Sequence, residues 1–71
     1  MTEQVRAEMV ANVLEVVAAV GTEVAEGDTI VLLESMKMEI PVLCEGSGTV
    51  TEVAVKPGDV MQAGDLIAVI D

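Results

Sequence analysis

Seventy-one residues allow one small domain, so an enzyme with separate substrate and cofactor domains is excluded and a single domain over residues 1–71 is expected. Thirteen Asp and Glu against three Lys and Arg give a net charge of −10, which opposes nucleic acid and anionic membranes, and without Phe, Trp or Tyr no base could stack on an aromatic platform. The lack of His removes the usual metal ligand and general base, while 52% apolar residues, fourteen of them Val, argue for a packed core rather than disorder.

Near the start, every apolar run is interrupted by Arg6, Glu8, Asn12 or Glu15, so neither a secretory signal nor a membrane span is expected and the cytoplasm is the expected location. Val5, Met9, Val13, Val16, Val17 and Val20 fit helical spacing, and on periodicity alone an amphipathic helix over about residues 4–20 is defensible. Gly21 and the pair Gly27-Asp28 then mark turns, and an apolar strand runs up to Glu34. A linker from Ser35 to Pro41 carries Lys37, one of the three cations. Beyond it, Thr49-Val50-Thr51-Glu52-Val53-Ala54-Val55 mixes β-branched and alternating positions, and Lys56-Pro57-Gly58-Asp59 places Pro and Gly where a type II turn needs them. Gly64-Asp65 repeats the earlier turn signal before a final strand to Asp71.

An offset of 37 aligns residues 5–34 with 42–71 and gives nine identities: Val5/Val42, Glu8/Glu45, Val13/Val50, Glu15/Glu52, Val16/Val53, Gly21/Gly58, Gly27/Gly64, Asp28/Asp65 and Ile30/Ile67. About three would arise by chance at this composition. Mismatches such as Val24/Met61, Leu32/Val69 and Leu33/Ile70 exchange one apolar residue for another, as a shared buried position allows. The repeat excludes the helix, because the equivalent segment, Val42 through Pro57, contains Gly46, Gly48 and Pro57 together with a β-branched run. Two β half-domains related by a pseudo-two-fold axis follow, with the linker and the termini at opposite ends.

The run Glu34-Ser35-Met36-Lys37-Met38-Glu39 resembles the attachment signature of the biotinyl/lipoyl domain of the biotin carboxyl carrier family. Residues 21–28 before it, and Gly48-Thr49-Val50, Pro57-Gly58-Asp59-Val60 and Ala63-Gly64-Asp65-Leu66 after it, are similar to the family as well, so the resemblance covers about residues 5–71. It implies an all-β fold, a flattened antiparallel barrel or sandwich of two four-stranded sheets with pseudo-two-fold symmetry, the biotinyl/lipoyl hammerhead. Three departures stand out: Ser35 replaces the usual Ala, Ala11 stands where the counterpart of Gly48 is expected, and Cys44-Glu45 replaces a common Ala-Pro. Without the extra loop that some bacterial carriers insert, and without a long N-terminal linker, the chain resembles a free-standing minimal carrier.

The resemblance implies that Lys37 is amide-linked to biotin by a biotin protein ligase, with Met36 and Met38 as apolar shoulders that the ligase and carboxylase subunits recognise. Met on both sides favours biotin over lipoate, since lipoyl domains typically present Asp-Lys-Ala at this turn. An ordinary lysine amine is protonated near neutral pH, so the ligase must supply desolvation or a base. A biotin carboxylase would then load the arm and a carboxyltransferase unload it, so the chain is expected to be a non-catalytic carrier that works by tethering. Alternation along an extended backbone would set Met36 and Met38 opposite Lys37. Glu34 and Glu39 read as a solvated face, Cys44 as a small buried hydrophobe without a disulfide partner, and Glu45-Gly46-Ser47-Gly48 as a turn. Basic docking surfaces on the partners and a monomeric state follow from the charge. A lipoylated acyl or sulfur carrier and an unmodified acidic interaction module are the alternatives.

Overall fold

The computed structural model describes residues 2–71. Eight strands follow in chain order: β1 (Glu3–Arg6), β2 (Ala11–Val16), β3 (Glu23–Val24), β4 (Thr29–Ser35), β5 (Met38–Leu43), β6 (Gly48–Val53), β7 (Val60–Met61) and β8 (Leu66–Ile70). They form two four-stranded antiparallel sheets, ordered β1-β8-β6-β3 and β5-β4-β2-β7, in a body of 32 × 17 × 17 Å. The offset of 37 carries β2 onto β6 and β3 onto β7 residue for residue, and one sheet's order onto the other's. The region that fits helical spacing is β1 and β2, because the β-branched valines pack on a pleated surface and their second copy cannot be helical.

The two-fold relation reaches individual hydrogen bonds. Val13 N–H donates to the Asp59 carbonyl at 2.8 Å, and its counterpart Val50 N–H donates to the Thr22 carbonyl at 2.9 Å. Bulges between Val13 and Glu15 in β2 and between Val50 and Glu52 in β6 fall at equivalent places. In Lys56-Pro57-Gly58-Asp59, Asp59 N–H donates to the Lys56 carbonyl at 3.1 Å and Gly58 takes φ 94°, the left-handed value that a type II turn demands at that position. Ala19-Val20-Gly21-Thr22 is its first-half counterpart, with the same 3.1 Å bond and the same φ.

The halves are not separate bodies. Each sheet takes its two inner strands from one half and both edge strands from the other, so β1 and β3 flank β8 and β6, while β5 and β7 flank β4 and β2. About thirty residues cannot bury a sufficient core alone, and interleaving lets two such segments share one. Buried positions accordingly come in related pairs: Ile30 with Ile67, Leu33 with Ile70, Val13 with Val50, Val24 with Met61, Ala18 with Val55 and Ala7 with Cys44. Cys44, 2% exposed, is therefore a core residue, its thiol donating to the Ala25 carbonyl at 2.8 Å.

β8 ends beside the chain start, where the Thr2 hydroxyl donates to Asp71 Oδ1 at 3.3 Å. Its counterpart β4 instead continues to Ser35 and turns into β5. The two-fold thus relates the paired termini to the Ser35–Met38 hairpin. None of the described residues belongs to a helix long and apolar enough to cross a membrane.

Candidate attachment site

The β4–β5 hairpin is the longest strand pairing among the described residues: Thr29 lies opposite Leu43, a register shift follows, and from Val31 opposite Val42 to Ser35 opposite Met38 the pairing is unbroken. Only Met36 and Lys37 remain to close it, with φ of 53° and 64°. Left-handed backbone at both central positions is the type I′ turn, whose twist matches that of the flanking strands. Asn and Gly normally occupy these positions, since any other L-residue is strained by contact between Cβ and the backbone. Here the register on either side holds two long side chains in that conformation.

Lys37 is exposed, and its side chain enters none of the side-chain hydrogen bonds among the described residues. Met36 is 88% and Met38 61% exposed, so neither fills the core. The alternation expected around Lys37 does not apply, because Met36 and Lys37 are the two corner residues of the turn and only Met38 begins an extended strand. Glu34 and Glu39 face each other directly across the hairpin, one step behind the turn, and Asn12 and Val60 continue that row across the sheet. Two like charges at an opposed strand position repel, so the base of the hairpin carries concentrated negative charge immediately behind the lysine.

The sequence reading passed over Glu3. Its carboxylate reaches across to the β5–β6 loop, where Glu45 N–H donates to Oε2 at 2.9 Å and Gly46 N–H to Oε1 at 3.1 Å. A separation of over forty residues leaves no local signal for this contact.

An exposed, unpaired primary amine at the corner of a rigid two-residue turn fits a group carried by amide linkage: the nitrogen is accessible and acylation disturbs no packed contact. The fold and this lysine-bearing turn define a small attachment domain of the carrier type, as distinct from a catalytic domain. Residues 3–70 match the model of the biotin and lipoyl attachment family, described as biotin-requiring enzyme, and the chain belongs to that family. It is 70% identical over 71 residues to the biotinylated protein TB7.3 homolog of Mycolicibacterium smegmatis, covering 100% of both chains. The urea carboxylase of Kluyveromyces lactis contains a segment, 6% of its chain, that covers 100% of this one with TM-score 0.94 and 39% identity. The lipoyl domain of the Azotobacter vinelandii 2-oxoglutarate dehydrogenase complex, 95% of which is covered by 94% of this chain, shares the fold at TM-score 0.76 with 21% identity.

Proposed function

We propose that Lys37 is the attachment point of a covalently bound biotin and that the chain carries a carboxyl group between the active sites of a biotin-dependent carboxylase. The observation that carries this reading is the exposed Lys37 at the corner of a type I′ turn, between two exposed methionines, in a member of the attachment family. The named biotinylated relative, 70% identical over its whole length, supports the choice of group, and the matching segment of a urea carboxylase supports the type of partner.

Three contributions belong to the chain's own residues. Lys37 supplies the amine to a biotin protein ligase, and the turn fixes the direction in which the arm leaves the domain. Met36 and Met38 give the ligase and the carboxylase subunits adaptable apolar contacts that bury easily, since thioether side chains adjust to varied surfaces. Glu34 and Glu39 steer basic docking surfaces towards the lysine. When attached, biotin supplies a ureido nitrogen that takes up and releases a carboxyl group. Tethering converts each delivery from free diffusion to a local search.

The test is the intact mass of the chain from its native source, with peptide mapping around Lys37. One biotin increment on the Lys37 peptide, absent from Lys37→Arg protein with an unchanged melting temperature, is the expected result. A lipoyl increment would transfer the site to acyl or sulfur chemistry, and an unmodified chain despite active ligase and ample biotin would leave an acidic interaction module.

A further inference from the structure

Edge strands β1 and β5 belong to different sheets and are not hydrogen-bonded to each other. Between them runs a groove of about 360 Å³, lined along its length by Val5, Ala7, Leu33, Ile40 and Val42. Because the two-fold exchanges β1 with β5, the groove has two related ends. At one end the Glu3 carboxylate is held by the amides of Glu45 and Gly46, at 2.9 and 3.1 Å. The related amides at the other end are those of Glu8 and Met9, which also line the groove.

The two loops are anchored alike. Ala7 N–H donates to the Asp65 carbonyl at 2.9 Å and its carbonyl accepts from Gly64 N–H at 2.8 Å; Cys44 makes the related pair with Asp28 and Gly27, each at 3.0 Å. Gly46 is not left-handed, so its conformation is open to Met9 at the related position. What differs is the acceptor. Ile40 occupies the place related to Glu3, and its side chain accepts no hydrogen bond. The amides of Glu8 and Met9 have no partner among the described residues. This end of the groove is the one beside the Lys37 hairpin, since Ile40 follows Lys37 by three residues, a span of at most about 11 Å.

We propose that the paired amides of Glu8 and Met9 form a resting site for the group carried on Lys37, accepting the ureido carbonyl oxygen of a biotinyl arm folded back onto its own domain. The inference rests on the biotin reading of Lys37. A lysine side chain with a five-carbon acyl chain extends about 13 Å at bond lengths near 1.5 Å, which reaches this end of the groove. The carbonyl oxygen takes the position held at the other end by a carboxylate oxygen. The apolar walls of Ile40, Leu33 and Val42 cover the ring system. Two successive backbone amides bind an oxygen acceptor without requiring a charged side chain.

The test compares amide spectra of the full chain before and after loading by a biotin protein ligase, with intact mass confirming complete modification at Lys37. Failure of Lys37 to load would overturn the biotin reading itself, separately from the resting site. With loading complete, the expected result is shifted and exchange-protected amides at Glu8 and Met9, accompanied by shifts at Ile40 and Val42. Changes confined to residues 36–38, or changes at Glu8 and Met9 that appear only when ligase is added to the loaded chain, would overturn the resting site. Ile40→Glu provides an independent check, because it supplies this end with the carboxylate that Glu3 gives the other. In that variant, with an otherwise unchanged unloaded spectrum, loading should no longer shift Glu8 and Met9, and persistence of the full shift would count against the proposal.

Discussion

Met36 and Lys37 sit at φ of 53° and 64° although neither is Gly or Asn, and each such position costs an L-residue about 1 kcal/mol or more. The strain is held by the long β4–β5 register, and it fixes the exit direction of the lysine side chain. Met36→Asn, which tolerates this backbone region, should therefore raise stability by about 1 kcal/mol in chemical denaturation, equivalent to roughly 4–8 °C in a domain of this size. An unchanged or lower midpoint would show that the turn is not strained. Behind it, Glu39→Gln should relieve the repulsion with Glu34 and stabilise by about 0.2–1 kcal/mol, with the gain shrinking as salt is added. A salt-independent gain would assign the effect to something other than charge. Nothing in Met-Lys announces a type I′ turn, since its usual residues are absent; the motif identified the lysine by resemblance, and its geometry came from the strands on either side.

At the level of strands and loops, two nearby glycines carry different constraints. A Cβ on Gly48 would meet the Asp71 carbonyl oxygen at 2.8 Å and Ile70 Cγ2 at 3.0 Å, where β6 begins beside the end of its antiparallel neighbour β8. The nearest atom to a Cβ on Gly46 is a Glu3 carboxylate oxygen at 3.7 Å. Gly48→Ala should therefore destabilise by about 1–3 kcal/mol through overpacking against backbone, whereas Gly46→Ala should stay within about 0.5 kcal/mol of the parent. Thermal melts of both variants decide it, and equal losses would refute the distinction. The related first-half position holds Ala11, buried in the core, so the close approach belongs to the β8 end and is not a requirement of the repeat. The type II turn at Lys56–Asp59 was legible because Pro and Gly each have a backbone reason to be there; the bulges in β2 and β6 were not, since no residue in either marks them.

The whole molecule carries a net charge of −10, with its few cations scattered along the chain. Self-repulsion opposes compaction, so the melting temperature should rise with ionic strength between low and physiological salt, as screening shortens the reach of like charges. A melting temperature that falls over that range would mean attractive pairs dominate, contrary to the charge count. The same charge favours basic partner surfaces and opposes self-association, and sedimentation at low salt should find a monomer.

The 37-residue repeat was enough to exclude the helix that periodicity allowed and to set the equivalence of the two copies, while the two four-stranded sheets came from the family resemblance. Most buried positions recur in both copies, although the expected shared pair Leu32 and Val69 is only half-buried. Shared burial is why Val24 and Met61, or Ala7 and Cys44, exchange without loss of pattern. How the copies combine was decided by the tertiary structure. The repeat suggested two half-domains, but the strands of each half alternate between sheets, because neither half alone can pair its edges or enclose a core. The strained turn at Lys37 rests on the β4–β5 pairing on either side of it, whereas the clamp from Glu3 to the β5–β6 loop and the pair of amides at Glu8 and Met9 depend on contacts between distant segments. Such contacts leave no periodic trace in a sequence, and they exist only once both sheets have closed around the shared core.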